Sequence, residues 1–236
     1  MFLKKQEYKA ATAIIVAAGS SRRMGNDTNK QFIMIDDAPI LAHTLSKFQQ
    51  AKLVDSIIVV TKSDSIPRVN DLIREFNITK VTDVVSGGET RQDSVGRGLS
   101  LTPNGKLVAI HDGARPFISA GKIDELILAA LEFGAAAPGI IPKDTVKTVS
   151  SDSLVLETPD REALRLVQTP QVFYSDELKL AYIRAAESGF SGTDDCSVAE
   201  NMGIKIHIID GEYTNIKVTT PEDIMIAEAI YDFLKV

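Results

Sequence analysis

Residues 12–25 of the chain read TAIIVAAGSSRRMG, an apolar, β-branched run that passes directly into small residues and two glycines. Such a run predicts a buried strand, and the small residues after it leave backbone N–H groups free to surround an anion. Arg22, Arg23 and then Lys30 supply positive charge nearby. The stretch favours a polyphosphate site, although an ordinary glycine turn beside solvated arginines has the same residues.

The spacing of the glycines separates this loop from two common phosphate-binding motifs. A P-loop ends in Gly-Lys followed by Ser or Thr, whereas Gly25 leads into Asn26. A dinucleotide-binding fingerprint needs G-x-G-x-x-G, and Gly19 and Gly25 are too far apart for that pattern. The loop therefore belongs to neither class.

Strand-like and helix-like segments alternate along most of the chain. Apolar, β-branched runs at residues 55–60, 80–85 and 107–111 predict three further strands, and helical stripes of apolar residues lie between them. This alternation is typical of βαβ units and a mainly parallel sheet. We therefore expect an α/β fold, and 236 residues are enough for one domain with a sizeable core.

The alternation stops near Pro142. Residues 144–149 alternate in polarity, and after a Ser-Ser-Asp-Ser turn residues 154–157 read LVLE, which predicts a hairpin. Because a lone hairpin is marginally stable in water, we expect it to pack on this chain's core or on a second subunit.

Composition and charge argue against several classes of function. The net charge of −6 disfavours nucleic-acid binding, whereas a small anionic substrate needs only local cations. No apolar run is long enough to cross a bilayer, and the N-terminal residues lack the apolar region of an export signal. With Cys196 as the single cysteine, this predicts a cytoplasmic protein. The histidines and Cys196 give no zinc spacing, which leaves a hard metal held by carboxylates and phosphates open.

Polar clusters follow two of the predicted strands. In open α/β sheets ligands bind at the carboxyl ends of the strands. Asp112, directly after the fourth predicted strand, is therefore a candidate Mg²⁺ ligand and Arg115 a candidate phosphate ligand, unless Asp112 only braces a turn. Residues 87–94, GGETRQDS, follow the third strand and either contact a base edge or form a loop with a helix cap.

Two later clusters have partial local explanations. Residues 193–197 read TDDCS, and a capping box of Ser197 with Glu200 leaves Thr193 and the two acids unexplained. Lys217 lies in residues 215–219, a β-branched run that predicts a strand. A lysine in a strand is usually at an edge, and the alternative is a charge directed into the cleft.

Taken in order, these segments resemble the 2-C-methyl-D-erythritol 4-phosphate cytidylyltransferase family of the non-mevalonate isoprenoid pathway. Each segment is weak evidence alone, but the ordered set is specific and spans nearly the whole chain after residue 10. The matching pieces are residues 17–24, Lys30, residues 87–89 with Arg91, Asp93 and Ser94, and residues 111–117, 143–145, 169–171, 193–195 and 215–221.

The resemblance implies a Rossmann-like nucleotidyltransferase fold in which helices flank a mostly parallel, twisted sheet. It further implies one domain over residues 1–236, with an inserted β-arm at about residues 143–168 that interlocks a homodimer. The implied reaction is transfer of CMP from CTP to methylerythritol phosphate, with release of pyrophosphate and with Mg²⁺ as cofactor.

The resemblance also implies roles for individual residues. Nucleotide binding falls to Ala17, Ala18, Gly19, Gly88, Glu89 and Ser94. Catalytic roles fall to Arg23, Lys30, Asp112, Arg161 and Lys217, with Asp112 near the metal. The acceptor pocket is assigned to Arg115, Thr145, Arg161, Thr169, Thr193 and Lys217, and Thr145 and Arg161 are expected to reach it from the partner's arm.

Two other functions stay open from the sequence. Ribitol-5-phosphate cytidylyltransferases share this fold and nucleotide, but they typically carry a second glycine after the Ala-Gly of the first loop and a different tail after the residue that corresponds to Arg91. A non-catalytic nucleotide-binding module is the other alternative, and it would bind CTP without releasing pyrophosphate.

Overall fold

The computed structural model of the chain describes residues 10–19 and 29–235. Its strands are β1 (Ala11–Val16), β2 (Met34–Ile35), β3 (Ala38–Pro39), β4 (Val54–Thr61), β5 (Val81–Ser86), β6 (Leu107–Asp112), β7 (Ala135–Ile140), β8 (Thr148–Val149), β9 (Val155–Glu157), β10 (Leu166–Val167), β11 (Gln171–Tyr174) and β12 (His207–Asp210). Its α-helices are α1 (Ile40–Gln50), α2 (Ile66–Glu75), α3 (Arg91–Ser100), α4 (Ala120–Phe133), α5 (Ser175–Ser188), α6 (Asp195–Glu200) and α7 (Pro221–Lys235).

A mostly parallel sheet forms the centre of the molecule. Strand β1 lies between β6 and β4, and β5 continues the parallel run beyond β4. On the other side β11 and β10 run antiparallel to β7, and β12 pairs with β7 in parallel. The predicted α/β class with a mainly parallel sheet is confirmed, because each of the four predicted strands is present within one or two residues of its expected bounds.

Helices cover both faces of this sheet because its strands are apolar on both sides. Ala13 and Ile15 of β1 face a core cluster with α1, α2 and α4. Ile14 faces the opposite cluster, which contains residues of α3, α5 and α6. Helix α7 packs separately, with Ala227 against Ile35 of β2.

Two expectations about strands need correction. Strands β8 and β9 form a two-stranded antiparallel pair where a hairpin is predicted, but the first strand is only two residues long. The run at residues 215–219 is not a strand, although its residues are β-branched. A backbone hydrogen bond from Val218 N–H to the carbonyl of Ala114 at 2.9 Å and side-chain contacts of the buried Asn215 hold it next to β6 instead. Strand propensity was overridden there by tertiary contacts.

The described helices lack the length and apolar character that crossing a membrane requires. The segment at residues 143–168, where the arm is expected, is largely exposed in the single chain. Its role as a dimerisation arm stays a prediction.

Gly98 of α3 is required by the close approach of this helix to the sheet. A Cβ atom at Gly98 would lie 2.7 Å from Ile14 Cγ2 and 3.2 Å from Val60 Cγ2. On the same helix, a Cβ at Gly96 would meet only the ring of Tyr182, at an ordinary contact distance of 3.8 Å.

We predict that Gly98→Ala lowers the free energy of unfolding by about 1–3 kcal/mol, because overpacking outweighs the gain of roughly 1 kcal/mol in helix propensity. The matched control is Gly96→Ala, which should leave the protein as stable or raise its stability by about 0.4–1 kcal/mol. Urea unfolding of both variants measures this, and equal stabilities of the two variants would contradict the packing of α3 described here.

Candidate active site

A cleft of about 570 Å³ opens where β1 and β6 end at the same edge of the sheet. Val16 and Asp112, the last residues of these strands, are paired in register. The cleft brings together eight of the residues predicted for the site, which are Ala18, Gly19, Lys30, Gly88, Glu89, Ser94, Asp112 and Lys217. Parallel strands place their carboxyl ends together, so the prediction from strand ends holds.

The loop after β1 contributes small residues to one wall of the cleft. Ala18 and Gly19 line it, but Ala17 is buried and donates its N–H to the carbonyl of Val60 at 2.7 Å. The Ala17 amide therefore continues the sheet and is not a donor for a ligand. Arg23, predicted to hold the triphosphate, lies outside the described residues.

The loop after β5 comes very close to the loop after β1. A Cβ at Gly87 would lie 2.4 Å from Ala18 Cβ, so this position needs glycine. The Ser94 hydroxyl accepts a hydrogen bond from Gly88 N–H at 3.1 Å and donates to the carbonyl of Thr90 at 2.9 Å. Thr90 caps α3 in a capping box. The helix-cap interpretation of residues 87–94 is thus confirmed, and Ser94 shapes the loop from a buried position.

The Asp112 carboxylate lies at the floor of the cleft among three cations. Its Oδ1 is 3.2 Å from Arg91 Nε, and its Oδ2 is 2.9 Å from Lys217 Nζ and 3.5 Å from Arg115 Nε. Burial alone would raise the pKa of Asp112, but attraction to Arg91, Lys217 and Arg115 outweighs burial and holds that pKa well below its usual range. Asp112 is therefore ionised at neutral pH.

A second layer of hydrogen bonds fixes the backbone beneath this carboxylate. Thr169 Oγ1 accepts from Asp112 N–H at 3.1 Å and lies 3.0 Å from His111 Nδ1, while His111 Nε2 lies 3.0 Å from the carbonyl of Arg115. Burial lowers the pKa of His111 to about 4, so the imidazole is neutral. Thr169 was expected to contact the acceptor, but its hydroxyl is buried and engaged with these two partners.

Lys217 and Lys30 reach the cleft from segments far apart in the chain. Asn215 Nδ2 donates to the carbonyl of Thr169 at 2.9 Å, and Arg115 Nη1 donates to the carbonyl of Asn215 at 2.9 Å, so residues 215–219 are fastened next to β6. Lys30 Nζ donates to the carbonyl of Val218 at 3.1 Å. Of the two interpretations of Lys217, the charge directed into the cleft is the correct one.

Of the residues predicted for the acceptor pocket, Lys217 lines the cleft of its own chain, whereas Arg115 and Thr169 contact Asp112 without lining it. The other three lie elsewhere. Thr145 and Arg161 are exposed on the segment between β7 and β10, where Arg161 Nη1 donates to the carbonyl of Lys143 at 3.0 Å. Thr193 is exposed just before α6. None of the three lines the cleft formed by the described residues, so a contribution from Thr145 and Arg161 requires a second chain.

Arg91 and Gln31 are among the cleft residues that had no predicted role. Arg91 was singled out only as part of a matching motif, yet it lines the cleft and contacts Asp112. Gln31 is buried beside Lys30, and its Oε1 has no hydrogen-bond partner among the described residues. Neither residue carries a pattern of its own in the sequence, because the partners of Arg91 are distant in the chain.

A magnesium ion fits the donor set of this cleft only if phosphate oxygens supply most of its ligands. Within residues 10–19 and 29–235 there is no group of three His, Cys, Asp or Glu side chains able to hold a metal ion. Asp112 and Glu89 are the carboxylates that line the cleft there. Mg²⁺ is commonly bound by one or two carboxylates together with substrate phosphates, and Asp112 suits that arrangement.

Comparisons with known proteins agree with the geometry. The family model described as 2-C-methyl-D-erythritol 4-phosphate cytidylyltransferase matches residues 11–232. A protein of that name from Clostridium botulinum is 42% identical over 224 residues, which are 94% of this chain and 98% of the relative. A namesake from Geotalea uraniireducens is 43% identical over 228 residues, covering 95% of this chain and 96% of the relative.

Solved structures give the same result. The crystal structure of 4-diphosphocytidyl-2C-methyl-D-erythritol synthase from Anaerococcus prevotii is similar with a TM-score of 0.86 and 33% identity, covering 95% of this chain and 97% of that chain. The cytidylyltransferase from Thermus thermophilus follows with a TM-score of 0.77 and 29% identity, covering 95% and 99%. The chain therefore belongs to the 2-C-methyl-D-erythritol 4-phosphate cytidylyltransferase family.

Proposed function

We propose that this protein transfers CMP from CTP to 2-C-methyl-D-erythritol 4-phosphate, with release of pyrophosphate. The observation that carries this proposal is the match to the family over nearly the whole chain, together with a cleft that has the glycine loops and cations this reaction needs. The chain is accordingly a nucleotidyltransferase of isoprenoid biosynthesis.

The reaction depends on stabilisation of negative charge more than on a strong base. The acceptor is a phosphate monoester, whose oxygen is already a nucleophile at neutral pH. The difficulty is to bring two polyanions together and to stabilise the charge that develops around the α-phosphorus during in-line attack. Fixed cations directed at that charge lower the barrier without reorganising during the reaction.

Lys30 and Lys217 are the described cations best suited to the phosphates. Both line the cleft, and Lys217 Nζ is fixed by Asp112 Oδ2 at 2.9 Å. We assign Lys30 to the triphosphate and Lys217 to the reacting α-phosphate, with Arg23 as a further triphosphate ligand. Ala18, Gly19, Gly88 and Glu89, whose small or polar groups also line the cleft, are assigned to cytosine and ribose.

Mg²⁺ is proposed as the cofactor, with Asp112 as its protein carboxylate, and when bound it supplies positive charge that offsets the repulsion between triphosphate and acceptor. Asp112 itself holds Lys217 in the cleft and also contacts Arg115. Arg115 is assigned to the acceptor pocket. Its Nε lies 3.5 Å from Asp112, and this nitrogen has no hydrogen-bond partner among the described residues.

A homodimer that shares its active sites is also proposed. The hairpin of β8 and β9 exposes apolar side chains that a monomer would leave in water, with Leu154 and Leu156 each 68% exposed. A second chain packed on this arm would cover them. Thr145 and Arg161 lie on the same segment and would then serve the partner's cleft.

The reaction is tested by measuring pyrophosphate release with CTP alone, with CTP and methylerythritol phosphate, and with CTP and ribitol 5-phosphate. We expect turnover only with methylerythritol phosphate. Faster turnover of ribitol phosphate would assign the protein to the sister activity. CTP binding without release of pyrophosphate in the presence of either acceptor would support a non-catalytic module.

Lys217→Ala is expected to lower kcat by about 100- to 1,000-fold, as for the loss of one oriented charge donor in a transition state. The same change at Lys205, which is exposed and does not line the cleft, is the matched control and should leave kcat unchanged. Steady-state kinetics decide, and a kcat for Lys217→Ala within twofold of the control would refute the assigned role.

Mixed dimers test the shared site. Arg161→Ala and Asp112→Asn chains, each inactive alone, should regain about a quarter of wild-type activity when co-expressed, because half of the dimers are mixed and each has one intact site. The control pairs Asp112→Asn with Lys217→Ala, two changes in one chain's cleft, and should regain nothing. Equal activity of the two mixtures would exclude a site built from both chains.

A further inference from the structure

Arg91 connects the cleft to a buried acid, Asp195, at the start of α6. It is the first residue of α3, and its Nη1 and Nη2 donate to Asp195 Oδ1 and Oδ2 at 3.0 and 2.7 Å. This two-pronged contact fixes the plane of the guanidinium. Tyr182 of α5 donates its hydroxyl to Asp195 Oδ1 at 2.5 Å. Asp195 begins α6 and is fully buried, so three helices meet at this one carboxylate.

The remaining edge of the same guanidinium faces the catalytic floor. Arg91 Nε donates to Asp112 Oδ1 at 3.2 Å. Asp112 Oδ2 is then the oxygen that lies 2.9 Å from Lys217 Nζ. A carboxylate held at one oxygen by a fixed donor presents its other oxygen in a defined direction, so the position of Arg91 determines where Lys217 is anchored.

The charges indicate that Arg91 orients Asp112 and is not itself a phosphate ligand. Burial would lower the pKa of Arg91, but Asp195 and Asp112 raise it above its ordinary value, so the guanidinium stays charged. Burial and Asp195 likewise raise the pKa of the Tyr182 hydroxyl, which therefore stays protonated and keeps donating. Asp195 neutralises the charge of Arg91, and the Nη1 and Nη2 donors that would bind a phosphate already donate to Asp195.

We propose that Arg91 is a positioning residue of the transferase reaction, held by Asp195 and Tyr182 so that it aligns the Asp112 carboxylate, and through it Lys217, for the reacting phosphates. This inference deepens the proposed function and rests on it. It also accounts for both acids at residues 194 and 195. The capping box of α6 is formed by Asp194 with Ser197, and not by Ser197 with Glu200 as the sequence suggested, while Asp195 anchors Arg91.

Tyr182→Phe is the mildest test, because it removes one hydroxyl that does not line the cleft and keeps the ring. Loss of such an outer partner should lower kcat by roughly 10-fold and leave KM for CTP within twofold of wild type. The matched control is Tyr231→Phe, whose hydroxyl also donates to a carboxylate, that of Asp37 at 3.0 Å, on α7 away from the cleft. The control should keep wild-type kcat and KM. If the role of Tyr182 were purely structural, Tyr182→Phe would lower the stability of the protein without lowering kcat at unchanged KM.

Arg91→Lys distinguishes the alignment of Asp112 by Arg91 from the effect of the positive charge of Arg91. Lysine keeps the positive charge but cannot form two hydrogen bonds to Asp195 and a third to Asp112 at the same time. We therefore expect kcat to fall by at least about 100-fold at unchanged KM for CTP. If Arg91 were a phosphate ligand, the loss would appear in KM for CTP. A kcat within twofold of wild type in both Arg91→Lys and Tyr182→Phe, or a loss confined to KM, would overturn the proposal.

A measurement without acceptor keeps this inference separate from the proposed function. The Nε–H resonance of Arg91, identified by its absence in Arg91→Lys, should be visible at neutral pH in ¹H–¹⁵N spectra because Asp112 accepts its proton. It should broaden by exchange with water in Asp112→Ala. Absence of turnover by the wild-type protein would refute the proposed function alone, whereas a resonance unchanged in Asp112→Ala would refute the alignment of Asp112 by Arg91.

Discussion

The buried Asp112 carboxylate is the interaction on which the cleft depends. It is the last residue of β6, and Arg91, Arg115 and Lys217 converge on it from three separate parts of the chain. Without a carboxylate between them, like charges held this close would repel one another. One buried anion therefore holds a set of cations in place before any substrate binds. This cluster lies at the edge of the sheet where β1 and β6 end.

Two kinds of hydrogen bond support this carboxylate from residues that do not line the cleft. His111 and Thr169 hold the backbone of Asp112 with neutral hydrogen bonds. Asp195, which accepts a hydrogen bond from the Tyr182 hydroxyl, holds Arg91 with charged ones. Neutral support fixes the position of the main chain, whereas charged support fixes the direction of the carboxylate. The residues that touch substrate in the proposed reaction thus rest on partners that never enter the cleft.

Local sequence patterns predicted the features that depend on neighbours in the chain. Strands β1, β4, β5 and β6, and the position of Asp112 at the end of β6, follow from periodicity and from the rule for parallel sheets. Local sequence patterns gave wrong or no predictions where contacts between residues distant in the chain determine the structure. Residues 215–219 have strand residues but lie outside the sheet, and the partner of Arg91 is 104 residues away in the chain. The engaged hydroxyl of Thr169 likewise depends on contacts that no local pattern contains. Thr145 and Arg161 pose a different problem, because a site shared between chains is not encoded in the geometry of one chain.

A crystal structure with CTP bound tests the central claim most directly. We predict that the phosphates lie within hydrogen-bonding distance of Lys30 and Lys217, while Arg91 keeps its contacts with Asp195 and Asp112. A triphosphate bound away from these lysines, or an Arg91 that leaves Asp195 to bind phosphate, would contradict the view that a preassembled Asp112 cluster organises the site.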